Sequence, residues 1–144
     1  MRKYLIISLL LLLFLSIGFS QKYPINEIIS ERHPNGLKKL VNVFQGNGIN
    51  ETLIGKYGFY EDGIKHFVIK YKNNIKHGES TFWYENGQKK VEQTYKDGKE
   101  NGLSTLWYEN GQVSFSGTYK NGKWIYLRGF YRNGTEKTEP PDWE

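Results

Sequence analysis

Two hydrophobic patterns divide the chain. From Tyr4 to Phe19 almost every residue is apolar, directly behind the basic Met1-Arg2-Lys3. Further on, apolar positions recur with a period of two. Phe67, Ile69 and Tyr71 align with Val91, Gln93 and Tyr95 and with Phe115, Gly117 and Tyr119, while the interleaved His66/Lys90/Ser114 and Lys70/Thr94/Thr118 are mostly polar. Alternate strand residues point to opposite faces, so the first set is predicted to line a core and the second to face water.

The aligned sets belong to a repeat. Phe82-Trp83-Tyr84-Glu85-Asn86-Gly87-Gln88 returns 24 residues later as Leu106-Trp107-Tyr108-Glu109-Asn110-Gly111-Gln112, and Thr94-Tyr95-Lys96-Asp97-Gly98-Lys99 returns as Thr118-Tyr119-Lys120-Asn121-Gly122-Lys123. One unit earlier stand Phe59-Tyr60-Glu61-Asp62-Gly63 and Tyr71-Lys72-Asn73-Asn74, with Asn74 in the place of a turn glycine. Asparagine is the next most tolerant residue of positive φ. A degenerate unit opens with His33-Pro34-Asn35-Gly36, and a partial one, Phe130-Tyr131-Arg132-Asn133-Gly134, closes the series. The intervals between turns suit strands and are too short for helices, giving one hairpin per repeat. Gly36, Gly63, Gly87, Gly98, Gly111, Gly122 and Gly134 are the predicted turn glycines.

Each first strand ends in two adjacent aromatic residues: Phe59, Trp83, Trp107 and Phe130, followed by Tyr60, Tyr84, Tyr108 and Tyr131. Adjacent residues face opposite sides, so one ladder is buried and the other at least partly exposed. A two-residue Asn-Gly loop pairs Tyr84 with Lys89 and Phe82 with Val91, leaving Trp83 outside. A three-residue loop with a G1 bulge shifts the register by one and reverses the assignment. Both stay open at this point.

The run from Gly78 to Trp124 resembles the MORN repeat in its bacterial variant, and residues 33–134 fit with decreasing quality towards the N-terminus. The resemblance implies an all-β fold: antiparallel hairpin repeats of about 24 residues in an elongated single sheet or roll. It further implies scaffolding or contact with proteins or lipids. Some bacterial relatives carry an antitoxin label, and here an export signal restricts that role to a partner toxin that is itself exported.

Composition narrows the function. With no cysteine, the chain has no disulfide framework, thiolate metal site or lipobox cysteine. The basic start, apolar run and small residues at Gly18 and Ser20 read as a secretory signal peptide over 1–20, followed by a lead-in at 21–32, the repeat domain at 33–135 and a loose tail at 136–144. Cleavage would lower the net charge from +5 to +3 by removing Arg2 and Lys3. Scattered lysines and export both argue against nucleic acid.

No cofactor or metal is expected, and no catalytic motif stands out. His33, His66 and His77 fall at different repeat positions, and Glu61, Glu85 and Glu109 repeat in one environment, whereas acid–base pairs need two. The expectation is a non-enzymatic exported repeat protein of the bacterial envelope, periplasmic, cell-surface or extracellular, acting on another protein. The alternatives are a module binding cell-wall glycan or anionic lipid through the eight ladder aromatics, an immunity-like partner of an exported toxin, and self-association.

Overall fold

The computed structural model describes residues 24–137. The signal peptide expected at 1–20 and all but the first two residues of the tail expected at 136–144 lie outside the described residues. The nine strands are β1 (Ile25–Arg32), β2 (Lys38–Gln45), β3 (Thr52–Phe59), β4 (Lys65–Lys72), β5 (Ile75–Trp83), β6 (Lys89–Lys96), β7 (Lys99–Trp107), β8 (Val113–Lys120) and β9 (Lys123–Gly129). They form one antiparallel sheet in strict chain order, open at β1 and β9. No α-helix occurs among the described residues. The fold is therefore the all-β hairpin series that the 24-residue period implies. At ~4.8 Å per strand, the eight spacings extend the sheet to roughly 38 Å.

Two turn types alternate along the chain and place every repeat in register. On one rim Asn73-Asn74, Asp97-Gly98 and Asn121-Gly122 all have positive φ and close two-residue hairpins, as a type I′ turn requires. On the other rim the loop has three residues. Gly87 N–H donates to Tyr84 O at 3.0 Å, and Tyr84 N–H to Gln88 O at 2.9 Å. Only Gly87 of that loop has positive φ, which makes it a type I turn with a G1 bulge. All seven turn glycines have φ between +80° and +88°.

The two registers left open by the sequence are both present in part. Trp83 lies opposite Lys89, as the bulged loop dictates, yet Phe82 lies opposite Val91, as the two-residue loop would have it. A second bulge at Lys90 restores the shift, and the same correction occurs at His66 and Ser114. Phe82, Val91, Leu106 and Phe115 therefore share one cross-strand row.

The predicted division into a core face and a wet face needs correction. Along the predicted core face only Tyr95 is a buried large side chain, joined by the small Ser80, Ser104 and Gly117. Val41 and Val43 are buried on the opposite face. Their row runs Ile29–Val41–Tyr57–Val68 and then turns polar at Thr81, Glu92 and Thr105. A single layer cannot cover either face fully, so burial follows local composition: apolar neighbours cover each other in the N-terminal units, and aromatic rings fold over small residues in the C-terminal ones. At Gly117 a Cβ would lie 2.7 Å from the Trp124 ring, the ring that stacks on Tyr119 at 3.7 Å between centroids.

Both ends of the described segment also join the sheet. The segment upstream of the repeats supplies edge strand β1, and at the other end Phe130 bridges to Glu136 while Lys137 N–H donates to Gly129 O at 2.8 Å.

Candidate functional site: the aromatic turn edge

The three-residue turns bring both aromatic ladders to one rim, where the tyrosines act as ties between repeats. Tyr60 Oη donates to Trp83 O at 2.7 Å, Tyr84 Oη to Trp107 O at 2.8 Å, and Tyr108 Oη to Phe130 O at 2.9 Å. Each hydroxyl reaches one hairpin ahead and bonds a backbone carbonyl there. In the degenerate first unit His33 Nε2 makes the same contact with Phe59 O at 2.8 Å. His33 precedes Gly36 by three residues, as Tyr60 precedes Gly63, so it holds the tyrosine's place. That equivalence was readable from the glycine spacing, but the first unit is offset by 27 residues rather than 24 and hides it.

A second tie runs beside the first. Asn35, Asn86, Asn110 and Asn133 each accept the N–H of the residue two positions on, at 3.0–3.2 Å. This is the usual Asx turn. Their amides do more: Nδ2 of Asn35, Asn86 and Asn110 donates to the carbonyl of Glu61, Glu109 and Arg132 in the next turn. Asp62 accepts Ile64 N–H at 2.9 Å but has no proton to give to the turn at Glu85. The far rim is tied as well, through Gly98 N–H to Lys76 O and Gly122 N–H to Glu100 O.

The predicted binding ladder thus separates by role. Phe59, Trp83, Trp107 and Phe130 are half-buried; the carbonyls of the last three receive the tyrosine hydroxyls, and that of Phe59 meets His33. Tyr60, Tyr84 and Tyr108 are half-buried ties. Tyr131, 56% exposed, ends the series. Basic side chains lie over many of these rings: Lys90 over Tyr84 at 5.2 Å, Arg132 over Tyr108 at 5.4 Å, Lys137 over Tyr131 at 5.4 Å and Lys89 over Trp107 at 5.6 Å. At these distances the ammonium or guanidinium meets the negative face of the ring quadrupole.

Tyr60 differs. Its ring stacks on His66 with centroids 4.4 Å apart. Burial, then the charge of Lys90, holds the His66 imidazole below its usual pKa, against the opposing pull of Glu85. Burial and the nearby carboxylates of Glu85 and Asp62 raise that of the Tyr60 phenol.

Glu61, Glu85 and Glu109 are exposed on the turn tips. His33 and His66 border one groove, while His77 stands on the far rim with Nδ1 3.4 Å from Asp97 Oδ1. Among the described residues no three His, Asp or Glu side chains come together in a metal-holding group.

The family model described as "MORN repeat variant" matches residues 76–97 and 100–121. These two adjacent segments are MORN-variant repeats. The two matched segments coincide with β5–β6 and β7–β8, whose hairpins carry the Tyr84 and Tyr108 ties. MORN repeats are generally modules of protein or membrane interaction. No curated protein matches the chain.

Proposed function

We propose that this protein is a non-enzymatic module, exported to the bacterial envelope, that works by docking another protein. The observation that carries the reading is the open sheet. Among the described residues β1 has a strand neighbour on one side only, and so has β9 apart from the bond of Gly129 O to Lys137, and both present apolar side chains: Ile28 and Ile29 at 47% and 36% exposure, Ile125 and Tyr126 at 62% and 52%. A free strand edge is a template for an added strand, with backbone bonds giving affinity and flanking side chains selecting the partner. Docking of an exported toxin by an immunity-like protein is one form such a contact takes.

A second reading has its own support. Lys72, Lys96, Lys99, Lys120 and Lys123 are all exposed beside the type I′ turns, a basic rim suited to an anionic lipid or polymer surface. Salt separates the two readings. Retention of one stoichiometric envelope protein by residues 21–144 at both low and high salt is the expected result. Retention of lipid or glycan alone, lost in salt for lipid, would transfer the function to the basic rim or the aromatic ladder.

A further inference from the structure

The turn edge follows a rule with one exception. Six residues after each ladder tyrosine the chain returns beneath the ring, and the side chain there is Lys90 for Tyr84 and Lys137 for Tyr131. Ser114 is too short to do this for Tyr108, and Arg132 takes over. For Tyr60 the position holds His66, an imidazole whose burial and nearness to Lys90 favour the neutral form. Tyr60 is thus the ladder tyrosine that no lysine or arginine among the described residues faces.

Next to Tyr60 lies a groove of about 530 Å³. Leu40, Phe59 and Phe67 give it apolar walls, and Glu31, Glu61 and Glu85 line it with carboxylates. Glu31 is engaged by Lys39 at 3.1 Å. Glu61 and Glu85 are exposed and make no ion pair among the described residues. Aromatic and apolar walls beside two free carboxylates are complementary to a cation carried on an apolar stem. The groove also reaches the open edge of the sheet, because Glu31 belongs to β1 and His33 follows it directly.

We propose that this groove receives an arginine or lysine side chain of a partner polypeptide, supplying at Tyr60 the cation that the chain itself supplies at Tyr84, Tyr108 and Tyr131. The proposal rests on the protein-docking reading and gives it a place. A strand added along β1 would run past Glu31 and could direct one of its side chains into the groove. Arginine fits better than lysine, since its planar fork stacks on a ring and bonds a carboxylate at once.

The test is to titrate residues 21–144, which hold every strand of the sheet, with a hexa-arginine peptide, and with its hexa-citrulline counterpart as the uncharged isostere. The decisive variant is His66→Lys, which installs the chain's own cation as Lys90 and Lys137 do at Tyr84 and Tyr131 and should fold as well as the parent. We expect hexa-arginine to bind His66→Lys at least tenfold more weakly than His66→Gln, and hexa-citrulline not to bind the parent. Gln112→Lys adds the same charge on a distant turn and should change affinity less than twofold. Equal loss in His66→Lys and Gln112→Lys would reduce the effect to overall charge and overturn the proposal. Undiminished binding by His66→Lys would overturn it too. If the native partner is still retained by His66→Lys, docking survives and the groove does not.

Discussion

Replacing Asp62 by asparagine should stabilise the protein, because the fold already shows what that position lacks. At Asn35, Asn86 and Asn110 the amide donates to the next turn's carbonyl at 2.6, 2.9 and 3.1 Å, and at Asp62 only the accepting half of the motif exists. Asp62→Asn keeps the bond to Ile64 N–H and adds a donor towards Glu85 O. A hydrogen bond of this kind is worth ~0.5–1.5 kcal/mol net. Removing a charge near Glu61 and Glu85 adds a few tenths at most, because these exposed groups are screened. The sum is about 1 kcal/mol, or roughly 3–6 °C in Tm for a domain of this size. The reciprocal change, Asn86→Asp, removes one tie and should cost about as much. Both are measured by urea and thermal denaturation followed by circular dichroism. If Asp62→Asn is neutral and Asn86→Asp is also neutral, the asparagine amides do not tie the repeats and the reasoning fails.

Three further outcomes follow from the same geometry. Tyr84→Phe removes the hydroxyl bonded to Trp107 O and should cost about 1 kcal/mol, whereas Tyr131→Phe, beyond which no described repeat lies, should cost nothing measurable in the same denaturation experiment. Ser80 Oγ is buried without a hydrogen-bond partner among the described residues, so Ser80→Ala should raise stability by up to ~1 kcal/mol; a clear loss in urea denaturation would show that the hydroxyl is satisfied. His66 should titrate below 6.5 by NMR, chiefly through burial. Since the unfolded chain then binds the proton more readily, its contribution to stability is complete above about pH 6.5 and declines as the pH falls through 6.5 towards the folded value. A His66 pKa above 6.5 would contradict this.

The sequence exposed the fold more fully than the site because a repeat multiplies each weak local signal. Asn74 could be placed at positive φ only because Gly98 and Gly122 stand 24 and 48 residues later, and its φ is +65°. The turn register was not legible, since two bulges cancel: the G1 bulge at Gly87 follows from the Gly, but nothing in Lys89-Lys90 announces the second one. Burial is not legible in the alternation, which says which residues share a face and not whether anything covers that face. The tyrosine and asparagine ties escaped for a different reason. Each residue already had a sufficient local role, in the ladder or in the turn, and the contact that matters lies 22–26 residues away.

The claim that most needs testing is that this open sheet docks a partner at its edge. Hydrogen exchange on residues 21–144, alone and with the captured envelope protein, tests it most directly. Alone, the amides of β2–β8 should be protected and the outward amides of β1 and β9 should exchange fast. With the partner bound, β1 or β9 should slow while the central strands stay unchanged. Slowing confined to β4–β7, with both edges still fast, would place the contact on a face of the sheet and contradict the account.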